Sequence, residues 1–250
     1  IAPEFRITYA PSTTALVWLQ DRDRSIDGRI LALGRPSFAP PDGREELVEI
    51  NDVPGTAVES VLIANLFSEP SLLLGSDASE QRLKELRDSG ELAQFGVLHL
   101  ATHARISRVT PELSCFQLAT DRLPNPRQAL AVGDPVFTGL LTVNEVIDTW
   151  RLDCDLVFAS ACESGLGPLR GGEGFFGFPQ AFFLAGANSC VVSLWPVDDE
   201  ATVYFTVRFY ENLLGRRDDL NGPLTKAEAL DEAKNWLRQA TKSELDLFLQ

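Results

Sequence analysis

Residues 156–161 form an apolar, β-rich run broken only by Ser160, which stops at Cys162 and gives way to a glycine-rich segment reaching Gly177. A run of this length between turn signals predicts a strand buried on both faces, which needs helices above and below it. A second such run, residues 95–101, lies just before His103. In open parallel sheets, reacting groups gather beyond the carboxyl ends of the strands. Neighbouring strands lie ~4.8 Å apart, so two adjacent runs would bring the Cys162 thiol and the His103 imidazole to one edge of the sheet.

Two readings of Cys162 stand at this point. Free cysteine commonly packs as a small hydrophobe, whereas a thiol at a polar strand end with a base in reach is a nucleophile. His99, inside its run, reads as a core histidine.

Strand and helix signals alternate along the rest of the chain, which predicts an α/β fold with a largely parallel central sheet and helices on both faces. Strands are expected over residues 5–9, 29–33, 71–74, 95–101, 115–119, 156–161 and 189–195. Helices are expected from Ser12 to Gln20 and over residues 56–67, 79–87, 143–150, 174–185, 201–214 and 225–240, with Ser76–Asp77 capping the third and Asp198 or Asp199 capping the sixth. Between 105 and 140 periodicity weakens and prolines accumulate, so a long loop is expected there.

Composition narrows the function. Hydrophobic residues at 44% and charged residues at 23% describe a globular chain, and 250 residues suffice for one large domain. A net charge of −14 argues against nucleic acid, whose binding draws on lysine and arginine, and favours basic polypeptide. The cysteines at 115, 154, 162 and 190 show no C-x-x-C pairing, so neither a disulfide framework nor a zinc site is expected. With no signal-peptide pattern and no apolar run near the ~18 residues of a membrane helix, a cytoplasmic location is expected. Methionine is absent, including at position 1. The expectation is a single domain over 1–250, cut from a longer polypeptide.

The segments VLHLATHA (97–104), VFASACESGLG (157–167), GGEGFFGFPQAFFLAGA (171–187) and VVSLWPVDDEATVYF (191–205) together resemble the CHAT domain, a caspase-related peptidase family akin to separase. The resemblance runs through nearly the whole chain. It implies a caspase-like sheet, with His103 as base and Cys162 as nucleophile at the ends of adjacent strands, and a protein or peptide substrate. It implies no metal or cofactor. The backbone N–H groups of Cys162 and Ala104 would hold the oxyanion. Glu163 and Glu173 are candidates for orienting the site. Because CHAT domains commonly follow tetratricopeptide-type helical repeats, a regulatory helical-repeat partner is implied as well. Trp195, Asp198 and Asp199 resemble the W-x-V-x-D stretch of separases, which implies a substrate pocket for arginine or lysine with Asp199 as its acid.

The sequence departs from the family at Ala104, where glycine is usual, and at Ser164, where threonine is usual. Alanine resists the positive φ that glycine tolerates, which leaves room for a catalytically silent interaction domain. A third reading rests on Gly172-x-Gly174-x-x-Gly177 followed by Asp198, a dinucleotide-type pattern. That pattern should begin directly after its strand, and here ten residues intervene.

Overall fold

The computed structural model describes residues 8–10, 12–20, 22, 26, 28–38, 54–107, 109–161, 164–165, 169–170, 174–175, 177–195 and 197–248. Cys162, Glu163, Gly172 and Glu173 lie outside this set, as do Phe5, Arg6 and Ile7 of the first expected strand. Thr8 and Tyr9 carry no strand.

In chain order the elements are α1 (Thr13–Gln20), β1 (Arg29–Pro36), α2 (Pro54–Ala64), β2 (Glu69–Gly75), α3 (Glu80–Asp88), β3 (Val97–Ala101), β4 (Ala104–Arg105), β5 (Cys115–Gln117), α4 (Pro126–Val132), β6 (Leu140–Thr142), α5 (Val143–Thr149), β7 (Leu156–Ser160), β8 (Leu169–Arg170), β9 (Gly174–Phe175), α6 (Phe178–Ala185), β10 (Cys190–Val192), α7 (Asp199–Leu214), α8 (Lys226–Gln239) and α9 (Lys242–Phe248).

Five strands pair in parallel in the order β10-β7-β3-β1-β2. The order reverses direction between β1 and β3, which opens a crevice at the carboxyl ends of the strands. Every residue of β3 and β7 is buried, because side chains alternate between two cores. Leu98, Leu100, Val157 and Ala159 pack with residues of α3, α5 and α6. Val97, Leu156 and Phe158 pack with residues of α2, α7 and α8 on the opposite face.

Several expectations are corrected by the structure. The stretch between 105 and 140 is organised by a three-stranded antiparallel sheet, with β5 inside it, where a strand is expected, and β4 and β6 at its two ends. It also holds α4, which Pro126 opens instead of breaking, with the Asn125 side chain accepting from the Arg127 N–H at 2.9 Å. The helix after the glycine-rich segment begins at Phe178, not at residue 174, and Pro179 sits in its first turn, where no amide is required. Gly174–Phe175 instead pairs with Leu169–Arg170 in a two-stranded ribbon. Ser79, not Ser76 or Asp77, caps α3 by accepting the Arg82 N–H. β10 is an edge strand that ends at Val192, three residues before the exposed Trp195.

No helix among the described residues is long and apolar enough to cross a membrane.

Candidate active site

The register of β3 and β7 places Ala101 opposite Ser160. His103 follows two residues after Ala101, and Cys162 stands two residues after Ser160 in the sequence. The His103 end is fixed from outside the main sheet. Its carbonyl accepts the Gln117 N–H of β5 at 2.9 Å, and the Thr102 hydroxyl donates to the Gln117 carbonyl at 2.6 Å. The Phe38 ring lies 6.3 Å from the imidazole, centroid to centroid. Ala104 follows in β4 opposite Phe116. Among the described residues Arg35 is the sole non-glycine at positive φ, so Ala104 takes no conformation reserved for glycine.

On the β7 side, Ser164 is fully buried. Its hydroxyl donates to the Ala159 carbonyl at 3.0 Å and accepts the Ser193 N–H at 3.1 Å, joining the ends of β7 and β10. Gly165 continues the clamp, donating to the Ser193 carbonyl at 2.7 Å. A side chain there would strike Val192 at 2.6 Å.

A cavity of about 50 Å³ opens between these strand ends and the helices, lined by Thr56 and Glu59 of α2, Thr102 and His103 after β3, Ser160 and Ala161 at the end of β7, and Val197, Asp199 and Thr202. Both helices are pinned at their starts. The Arg35 N–H donates to the Thr56 hydroxyl at 2.9 Å, and Asp198 caps α7 by accepting the Ala201 N–H at 2.9 Å. Gly55 lets the two helix starts meet, since a Cβ on it would lie 3.3 Å from the Asp199 Cβ.

Of the residues expected to contact substrate, the structure gathers His103 and Asp199 at this cavity. It assigns Asp198 to the cap, and Trp195, 65% exposed, is not among the lining residues. Burial pushes the Asp199 carboxyl above the usual aspartate range; His103 opposes the shift, while the Asp198 and Glu59 charges add to it. The other cysteines are poor nucleophiles. Burial raises the Cys115 thiol and pushes Cys190 up to about 12, and Cys154 is buried. No cluster of three or more metal-ligating side chains occurs among the described residues.

Glu59 was not anticipated. It is 1% exposed, with Oε1 3.3 Å from Nε2 of the fully buried His99. The contact lies outside hydrogen-bonding geometry, and both atoms are buried without a hydrogen-bond partner among the described residues. The Tyr210 hydroxyl lies 3.4 Å from Nδ1 of His99. Burial, and after it the Glu59 charge, hold the Tyr210 phenol well above its ordinary range. Thr56, Glu59, Ser60 and Ile63 share one helical face, and that face is buried.

The parallel sheet with helices on both faces is a caspase-like cysteine-proteinase fold. It is similar to the crystal structure of the Arg specific cysteine proteinase gingipain R, with a TM-score of 0.50 at 11% identity over 91% of this chain and 46% of that one. The chain belongs to the CHAT domain family, whose model matches residues 1–246. It is also 28% identical to tetratricopeptide repeat protein 28 of Mus musculus over 188 residues, 65% of this chain. The Homo sapiens protein of that name is 28% identical over 207 residues, 72% of this chain. The chain spans 7% and 8% of those two proteins.

Proposed function

We propose that this chain is a cysteine endopeptidase domain that cleaves after arginine or lysine. The observation that carries the reading is the pairing of Ala101 with Ser160, which ends the His103 strand and the strand preceding Cys162 in register. The Cys162 thiolate attacks the scissile carbonyl carbon, and the N–H groups of Cys162 and Ala104 take the developing oxyanion. As the tetrahedral adduct collapses, the C–N bond breaks and protonated His103 gives its proton to the leaving amine. Water, deprotonated by His103, then attacks the thioester carbonyl, releasing the acid and restoring the thiol. Asp199 at the cavity rim would pair with a basic side chain through parallel hydrogen bonds. The similarity to tetratricopeptide repeat proteins supports a helical-repeat partner, in the same polypeptide or another, as regulator.

A peptidyl acyloxymethyl ketone probe with a terminal arginine tests the reading. Cys162 should be labelled in the wild type and unlabelled in His103→Ala. Absence of label in the wild type would favour the second reading, a catalytically silent interaction domain.

A further inference from the structure

Glu59 is a carboxylate on the apolar face of a helix, and the fold gives it little in return. α2 already packs through Ile63 and Ala64, and the Glu59 Oε1 has no hydrogen bond among the described residues. Burying a carboxyl group without such partners opposes folding, and an unsatisfied buried polar group calls for an explanation such as a functional role or a bound group. Here the same side chain lines the cavity. Asp199, exposed and on a different helix, lines it too, as do Thr56, Thr102, Ser160 and Thr202.

We propose that Glu59 is a specificity-determining residue that receives the far end of a substrate arginine side chain, sharing its guanidinium with Asp199. The assignment rests on the reading above, in which this cavity takes the side chain preceding the cut. An acidic ligand would meet two carboxylates, and an apolar one would leave Glu59 unpaired. A guanidinium carries five N–H donors in a planar fork, so it bonds carboxylates arriving from two directions, which a compact ammonium does less well.

The test is calorimetric titration of the whole chain with N-acetyl-arginine methylamide and with its citrulline counterpart, which replaces the guanidinium by a neutral urea of the same shape. Glu59→Gln should weaken binding of the arginine compound roughly 30-fold or more, as expected when one partner of a buried charge pair is lost. Binding of the citrulline compound should be unchanged and the melting temperature not lowered. Equal losses for both compounds, unchanged arginine affinity, or a lowered melting temperature without selective loss would assign Glu59 a structural role with His99 and overturn the proposal. So would failure of the wild type to bind the arginine compound. If Glu59→Gln does not fold, Glu59→Asp keeps the charge but withdraws it by one methylene. Weaker arginine binding is then expected, and wild-type affinity overturns the assignment. Arginine binding without peptide cleavage would instead sink the peptidase reading and leave this site standing.

Discussion

Asp198 and Asp199 are adjacent in the chain, yet the first turn of α7 gives them different surroundings: Asp198 accepts the Ala201 amide, and Asp199 lines the cavity with His103. Either carboxylate satisfies the preference of a helix start for acids, so the sequence alone leaves the division open.

Replacing each in turn should separate the roles. Asp198→Ala is expected to cost about 1 kcal/mol of stability, the usual value of an N-cap, with selectivity for arginine kept. Asp199→Ala should abolish that selectivity in a peptide-library profile with a smaller effect on melting. Because burial raises the Asp199 carboxyl, kcat/KM for arginine substrates should begin to fall, as pH is lowered, above its ordinary value of 3.8. A neutral-residue substrate should lack that inflection.

His99 and His103 should behave oppositely. His99 is buried against Phe158 and Tyr210, with ring centroids at 5.3 and 5.7 Å, so His99→Gln is expected to cost roughly 1–3 kcal/mol of stability and leave turnover largely intact. His103→Ala should abolish turnover with little change in denaturant midpoint. Loss of activity in His99→Gln at full stability would reverse the assignment.

Ala104→Gly tests whether the departure from the family matters. Since Ala104 adopts no positive φ, the substitution should change kcat by less than about threefold. An increase of about tenfold or more would show that alanine holds the site back.

Ser164→Ala removes the hydroxyl that bridges the Ala159 carbonyl and the Ser193 amide. The Ser193 amide then loses this acceptor at a half-buried position, while the Ala159 carbonyl keeps the Ala161 N–H, and a loss of roughly 1 kcal/mol is expected in denaturant unfolding.

Glu232 gives a pH-dependent check on the distal face of the fold. Burial alone would raise its carboxyl, but hydrogen bonds from Arg208 and Asn212, with the Arg208 and Arg217 charges, leave it below its ordinary value of 4.5. A depressed carboxylate contributes stability that is fully present above its unfolded pKa and is lost as pH falls through the folded one. Glu232→Gln should therefore be less stable than wild type at neutral pH by roughly 1–2 kcal/mol. The difference should narrow only below pH 4.5.

The interior strands were legible in the sequence because burial on both faces leaves a nearly unbroken apolar signal, interrupted in β3 and β7 only by His99 and Ser160. β10 was overread to Trp195 because an edge strand and the apolar loop after it look alike without their neighbours. β4 and β6, two and three residues long, carry too few positions for a period, and α4 hid behind prolines that serve equally to start or to break a helix. His103 was legible as the polar end of a buried run. Glu59 was not, because glutamate is an ordinary helix former and its meaning depends on which neighbours share its face.

Gly55 has no side chain in the cavity, but it sets the distance between the two helices that wall it. A Cβ at position 55 would lie 3.3 Å from that of Asp199, so one helix start or the other must give by a few tenths of an ångström. The width of the cavity is thus open to adjustment from a residue that does not line it, through the seating of Asp199.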